Sequence, residues 1–128
     1  MIEHIRDFPK HIQDSLKNIK EDNLNLEDVG KVVIAGMGGS AIAGLILKDL
    51  FPEMEIVVER NYFPNTTIDE HTLVIVCSYS GNTEEILSYY DYAVRLTDHA
   101  MVLTTGGELL KKAKLDNISY HLLPKGYP

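Results

Sequence analysis

The chain has 128 residues, which suits a single domain of ordinary size, and 45% of them are hydrophobic, enough to build a packed core. Its formal charge of −7 argues against general binding to nucleic acid or to an anionic membrane, because both depend on an excess of Lys and Arg. The one cysteine, Cys77, excludes an internal disulfide and fits a reducing compartment.

The amino-terminal segment predicts a helix. Its apolar residues recur at spacings of four, four and three, in the order Phe8, Ile12, Leu16 and Ile19. The first residues, MIEHIRDFPKH, carry charges throughout and contain no apolar core of a signal peptide. The uncharged run 32–47 is shorter than the roughly 20 residues that a membrane span needs, and glycines interrupt it. We therefore expect a soluble, cytoplasmic protein that does not contact membranes.

After this helix, predicted strands and helices alternate along the chain. Runs of β-branched residues predict strands at 31–36, 54–60, 71–78, 99–105 and 118–124. Helices are predicted between them at 40–50, 82–96 and 106–115. Such alternation implies right-handed crossovers and a parallel sheet with helices on both faces. The prediction is an α/β fold of three layers, with a doubly wound five-stranded parallel sheet in the flavodoxin-like order 2-1-3-4-5.

Two turns rich in glycine and hydroxyl groups follow the first and third predicted strands. They read GMGGSAIAG at 36–44 and SYSGNTEE at 78–85. In the order 2-1-3-4-5 these two strands are neighbours, the winding direction reverses between them, and ligands bind outside their carboxyl ends. The sequence therefore predicts that both turns open into one crevice, with free helix N–H groups and positive dipole ends pointing into it.

The residue types in the turns indicate an anionic ligand. Glycine lets the backbone approach a ligand closely, and it tolerates the positive φ that aims successive amides inward. The glycines are Gly36, Gly38, Gly39 and Gly81. Short hydroxyls add donors for anionic oxygens. The hydroxyl residues are Ser40, Ser78, Ser80 and Thr83. Since neither turn contains Lys or Arg, this combination predicts a compact phosphate monoester that binds and leaves.

Other residues near the turns are candidates for supporting roles. Gly38, Gly81 and Asn82 would shape the backbone of the turns. Arg60 follows the second predicted strand at its carboxyl end, where it either reaches the crevice or braces the wall of the crevice. No group of residues has the spacing of metal ligands, so no metal is expected.

Purely structural roles are the alternative for some of these residues. The glycines of the first turn would then only allow tight packing of helix on strand, with Ser40 as the helix N-cap. Asn82 and Glu85 would form a capping box at the start of the next helix. These roles leave unexplained why two hydroxyl-rich turns converge on one point of the sheet.

A dinucleotide site is a further alternative. Gly36, Gly38 and Ala41 approximate the pattern G-x-G-x-x-A, and Glu59 stands about twenty residues on, where a partner of the ribose would lie. The hydroxyls of SYSGNT argue against this alternative, since a nicotinamide cofactor would have no use for them.

Together these motifs resemble a sugar isomerase (SIS) domain, and most closely the first half of bifunctional phosphoglucose/phosphomannose isomerases. The matching segments are DFP, GMGGSAIAG, VVERNYFP, SYSGNTEE, TTGGELLKKA and LPKGYP, in the order of the family and over nearly the whole chain. The resemblance implies one SIS domain over 1–128 that binds glucose, mannose or fructose 6-phosphate without a metal or organic cofactor. It implies phosphate contacts from Gly39, Ser40, Ser78, Ser80 and Thr83.

The same resemblance implies that a second SIS domain supplies the catalytic Glu, His and Lys, so no catalytic residue is expected in this chain. The expected function is the phosphosugar-binding half of an aldose–ketose isomerase, incomplete on its own. Its expected partner is a second SIS domain or a second copy of the chain. A non-catalytic module that senses phosphosugars is the next alternative, and a dinucleotide-binding domain comes after it.

Overall fold

The computed structural model describes residues 2, 3, 6, 7, 9, 10 and 13 and the continuous stretch 26–126. The seven separate residues near the amino-terminus are helical. The apolar stripe predicted for that segment lies outside the described residues.

Within 26–126, strands and helices alternate as predicted. The strands are β1 (Lys31–Ala35), β2 (Glu55–Glu59), β3 (Thr72–Ser78), β4 (Ala100–Thr104) and β5 (Ser119–Leu122). The helices are α1 (Gly39–Leu50), α2 (Glu84–Ala93) and α3 (Gly107–Leu115). All strand pairs are parallel and follow the order β2-β1-β3-β4-β5. This confirms the doubly wound α/β fold and its predicted strand order.

The sheet separates two clusters of apolar side chains, because successive residues of a strand point to opposite faces. On one face, Val33 and Val74 join a fully buried core with Ile86 and Tyr89 of α2 and Leu109 of α3. On the other face, the cluster consists of Val32, Ile34, Ile56 and Leu73. Helix α1 packs on this second face, so the described helices cover both sides of the sheet. None of them is both long and apolar enough to cross a bilayer.

Helix α1 is attached to the sheet by a narrow stripe. Of its twelve residues only Ala41 and Gly44 are buried. A methyl group on Gly44 would lie 3.0–3.1 Å from side-chain atoms of Val58 and Ile34, so the absence of a side chain allows the close approach. The remaining apolar residues of α1 face outward, with Ile42 and Ile46 each 55% exposed and Leu50 65% exposed. We call this group, Ile42, Leu45, Ile46 and Leu50, the α1 face.

Candidate functional site

Strands β1 and β3 are parallel neighbours, with Ala35 opposite Val76. The turn after β1 and the turn after β3 therefore lie side by side at the carboxyl edge of the sheet, as predicted. We call residues 36–40 the first turn and residues 78–83 the second turn.

The first turn presents backbone amides, and few side chains, to the crevice. Gly36 N–H donates to the carbonyl of Glu59 at 3.0 Å, and a methyl group on Gly36 would lie 2.9 Å from Cβ of Ser40. Gly38 has φ 55° and ψ −126°, a conformation that glycine adopts far more readily than other residues. Among the described residues, the amides of Met37, Gly38 and Gly39 have no hydrogen-bond acceptor. These three amides are available to a ligand.

The N-cap of α1 is Gly38 and not Ser40, so the alternative of Ser40 as N-cap is wrong. Ser40 is the second residue of the helix and half-buried, and its hydroxyl has no partner among the described side chains and backbone. No acidic residue lies in the first turn of α1. The positive end of the helix dipole is therefore left without compensation at the crevice.

The second turn is built around a buried hydroxyl. The Oγ of Ser78 lies 2.9 Å from Oγ1 of Thr83 and accepts the N–H of Gly81 at 3.1 Å. Since one of the two hydroxyl protons is used in the bond between Ser78 and Thr83, the pair offers one proton to a ligand. Ser80 is exposed; its Oγ accepts the N–H of Asn82 at 3.1 Å and keeps its own proton free to donate.

The start of α3 braces the second turn, a feature that the sequence did not predict. The carbonyl of Gly81 accepts the N–H of Leu109 at 2.9 Å. Gly81 and Gly107 both have positive φ, 73° and 70°, and lie back to back. A methyl group on Gly81 would collide with the carbonyl of Gly106, and one on Gly107 would lie 2.5 Å from the carbonyl of Ser80. Only glycine fits at either position.

Asn82 takes part in this brace. Its Oδ1 accepts the N–H of Glu108 at 3.0 Å and so caps α3. The N-cap of α2 is Thr83, without a side-chain hydrogen bond to the helix. The capping box of Asn82 with Glu85 is therefore wrong: the asparagine stabilises the neighbouring helix, because the partner amide comes from a distant part of the chain.

The loop after β2 forms one wall near the turns. Arg60 is exposed and directly follows the residue whose carbonyl binds Gly36, and it has no ion-pair partner among the described residues. Burial and the carboxylates of Glu84 and Glu85 raise the pKa of Tyr62 above its ordinary value. The loop also contacts α2 directly, since the rings of Phe63 and Tyr92 meet edge to face with their centroids 4.9 Å apart.

The site presents hydrogen-bond donors and few reactive groups. Burial raises the pKa of the Cys77 thiol to about 11, so the thiol at the end of β3 stays protonated at neutral pH and is a poor nucleophile. Across the described residues, no cluster of three or more His, Cys, Asp or Glu side chains is placed to hold a metal ion. What the arrangement can do is surround an anionic group with amides from one side and hydroxyls from the other.

No protein-family model matches the chain. Bifunctional phosphoglucose/phosphomannose isomerase from Caldicellulosiruptor bescii is 39% identical to it over 98% of this chain. D-Glucosamine-6-phosphate 4-epimerase from Sulfolobus acidocaldarius is 36% identical over 85% of this chain. The chain covers only 39% and 35% of these two relatives, so it spans well under half of their length.

Among solved structures, tagatose-6-phosphate ketose/aldose isomerase from Escherichia coli aligns with 95% of this chain and 39% of its own, with a TM-score of 0.73 and 23% identity. This likeness concerns the fold. The strand order and the sequence similarity over nearly the whole chain agree with each other. The chain has the fold of a sugar isomerase (SIS) domain and resembles the bifunctional phosphoglucose/phosphomannose isomerases, which confirms the resemblance inferred from its motifs.

Proposed function

We propose that this chain binds a hexose 6-phosphate (glucose, mannose or fructose 6-phosphate) as the phosphosugar-binding half of an aldose–ketose isomerase. The observation that carries the proposal is the pair of neighbouring turns with unpaired donors at one edge of the sheet. Backbone amides at a helix start bind phosphate without any net positive charge on the protein. The names of the relatives, which refer to phosphoglucose, phosphomannose and glucosamine 6-phosphate, support this class of ligand.

The two turns would contribute different donors. From the first turn, the amide of Gly39 and the hydroxyl of Ser40 would contact phosphate oxygens, since the amide of Ser40 already donates to the carbonyl of Met37 at 3.2 Å. From the second turn, Ser80 and the single proton shared by Ser78 and Thr83 would do so. The supporting residues would act through the shape and charge of the crevice. They are Gly38, Gly81, Asn82 and Arg60.

We propose that the chain does not catalyse isomerisation alone. Moving a proton between neighbouring sugar carbons needs a base whose pKa suits that transfer. The carboxylates nearest to the second turn, Glu84 and Glu85, lie in the first turn of α2, where acidic side chains complement the helix dipole and have a structural role. The base and the ring-opening group would come from a second SIS domain, as the resemblance implies.

The α1 face supports such a partner. Four large apolar side chains on one exposed helix surface are unusual for a protein that remains a monomer, and patches beyond a few hundred Å² mark contact surfaces. We propose that the α1 face contacts a second SIS domain or a second copy of this chain.

Equilibrium dialysis tests the ligand class directly. We expect fructose 6-phosphate to be retained and NADH not to be retained. Glu59 supports the second expectation: it is 4% exposed, and its carboxylate already accepts the N–H groups of Asn65 and Thr66 at 2.6–3.1 Å, so it is not free for a ribose. Retention of NADH without fructose 6-phosphate would overturn the proposal in favour of a dinucleotide site.

An aldose–ketose isomerase assay separates the enzyme from the sensor. The chain is assayed alone and together with the second SIS domain of a bifunctional phosphoglucose/phosphomannose isomerase. Activity that appears only in the mixture supports the enzyme half. Binding of the sugar phosphate with no activity in either case favours a sensor, and activity of the chain alone contradicts its proposed incompleteness.

Sedimentation velocity tests the α1 face. The unmodified chain is expected to associate as its concentration rises, and Ile46→Lys to remove this association without unfolding the protein. Leu115→Lys is the matched control, since Leu115 is 85% exposed on α3, away from the α1 face. A strictly monomeric chain that also fails to bind a second SIS domain would contradict the proposed partner.

A further inference from the structure

The chain beyond β5 runs past the second turn and is fixed to it. The N–H of Leu123 donates to the carbonyl of Thr104 at 2.8 Å. The hydroxyl of Tyr79, a residue of the second turn, donates to the carbonyl of Pro124 at 3.1 Å. Two consecutive residues are thus held at the carboxyl edge of the sheet, and they fix where the backbone of the next residue begins.

That next residue is Lys125, and it brings a cation to this edge. Its Nζ lies 4.0 Å from the point where a Cβ on Gly106 would stand. Gly106 in turn is in contact with Gly81 of the second turn, where its carbonyl blocks any side chain. The ammonium is exposed and forms no ion pair among the described residues.

The charges at this edge explain what such a cation would do. The second turn itself contains no Lys or Arg, and Glu84 and Glu85 open the helix that follows it. A phosphate monoester, which carries nearly two negative charges at neutral pH, would meet repulsion from these carboxylates and from a chain of net charge −7. A lysine at the rim offsets this repulsion, because an ionised donor forms a stronger hydrogen bond with an anionic oxygen than a neutral one does.

We infer that Lys125 is a binding residue for the anionic group of the ligand at the second turn, held in place by Tyr79. The inference rests on the proposed function, since it assigns one more contact to the same ligand. Neither turn supplies this charge, so the hydroxyls and amides would fix the geometry of the phosphate while Lys125 supplies attraction.

The test measures the affinity for fructose 6-phosphate by calorimetry in three variants. Lys125→Gln is expected to raise Kd about three- to tenfold, and Lys125→Arg to stay near the unmodified value, because the guanidinium keeps the charge. Lys48→Gln is the matched control: it removes the same charge from the last turn of α1, at the far end of the sheet, and should leave Kd unchanged. The melting temperature of each variant confirms that it is folded.

Salt and Tyr79 provide two further readouts. The difference between Lys125→Gln and the unmodified chain should shrink from about 0.01 M to about 1 M salt, as the screening length falls from about 30 Å to about 3 Å. Tyr79→Phe removes the hydroxyl that holds Pro124, so Kd should rise by a smaller factor than in Lys125→Gln. A merely structural role of Lys125 would show no such salt dependence.

The outcomes separate the two claims. If the unmodified chain binds fructose 6-phosphate and Lys125→Gln binds as tightly as Lys48→Gln, the role of Lys125 is overturned and the proposed function stands. If the unmodified chain binds no sugar phosphate at all, the proposed function is overturned, and the role of Lys125 with it.

Discussion

The two turns reach the same edge of the sheet by different constructions. The first turn has an uncapped helix start, three amides without acceptors among the described residues and no acidic residue beside it. The second turn contains the buried Ser78, and the carbonyl of Gly81 and the side chain of Asn82 accept hydrogen bonds from α3. Two glutamates begin the helix that follows this turn. The first turn therefore presents unpaired backbone amides, whereas the second turn is held by hydrogen bonds to its own serine and to α3.

This difference indicates a division of roles. Hydroxyl groups rotate, so a turn that uses them as donors has to fix their positions through packing and hydrogen bonds. Amides are fixed by the backbone itself, so the first turn needs only glycines and a helix behind it. We therefore expect substitutions in the second turn to reduce stability, and substitutions in the first turn to affect binding while the fold remains.

The largest contrast is expected between Gly81→Ala and Gly39→Ala. Gly81 has φ 73° and faces the carbonyl of Gly106, so the added methyl should cost about 3 kcal/mol or more of unfolding free energy. At Gly39 the methyl meets nothing within 4 Å, and the unfolding free energy should change by no more than about 0.5 kcal/mol. Urea denaturation measures both. Equal losses of stability in the two variants would contradict the comparison.

Thiol labelling sharpens the contrast between the two turns. Cys77 directly precedes the second turn, and its pKa of about 11 leaves little thiolate at about pH 8. In a Cys77→Ala background, Ser40→Cys places a thiol at a helix start, where the dipole lowers its pKa. We expect iodoacetamide to label Ser40→Cys about a hundredfold faster than Cys77.

The pH dependence of labelling gives a second check. Below a pKa the thiolate fraction grows about tenfold per pH unit, so labelling of Cys77 should keep rising from about pH 8 to pH 10. Labelling of Ser40→Cys should level off in this range, because that thiol is already ionised. Equal rates for the two thiols at about pH 8 would mean that the second turn opens as readily as the first.

The next contrast lies within the second turn. Ser78→Ala leaves the N–H of Gly81 and the hydroxyl of Thr83 without their partner in a buried place, which should cost about 2 kcal/mol of unfolding free energy. Ser80→Ala removes an exposed hydroxyl and should cost no more than about 0.5 kcal/mol. Chemical denaturation measures both changes, and fructose 6-phosphate binding should weaken in each. A larger loss of stability in Ser80→Ala would reverse the assigned roles.

The smallest contrast is expected at the contact between Asn82 and α3. Asn82→Ala removes the acceptor for the N–H of Glu108 and should cost about 1 kcal/mol of unfolding free energy, and Asn82→Asp should recover most of it. Glu85→Gln is the control, because Glu85 does not take part in a capping box with Asn82. A loss of stability in Glu85→Gln as large as in Asn82→Ala would instead support a capping box of Asn82 with Glu85.

The fold could be predicted from the sequence because the central strands β1 and β3 are short, β-branched runs without polar alternation, as buried parallel strands are, and a turn with glycine follows each of them. Element ends were predicted less well. The helix expected over 82–96 is α2 over Glu84–Ala93, and Val94 and Arg95 already lie in a turn. An apolar residue such as Leu96, which is 48% exposed, continues the periodic pattern without continuing the helix.

The positions of the two turns followed from the strand order, but the contacts between turns did not. The local pattern predicts Asn82 as a cap of its own helix, although its partner amide lies 26 residues further along the chain. Lys125 lies far in sequence from both turns, and only the path of the chain after β5 brings it to Gly106. Local patterns predict what a turn is made of, whereas long-range packing decides which of its groups remain free.

The opposed glycines Gly81 and Gly107 also restrict how this molecule can evolve. A side chain at Gly81 would collide with the backbone beside Gly107, and a side chain at Gly107 would collide with the backbone beside Gly81. Single substitutions at either position are therefore expected to be destabilising. Laboratory selection for a new sugar phosphate should therefore leave both glycines unchanged and vary Gly39, where an added side chain meets nothing within 4 Å.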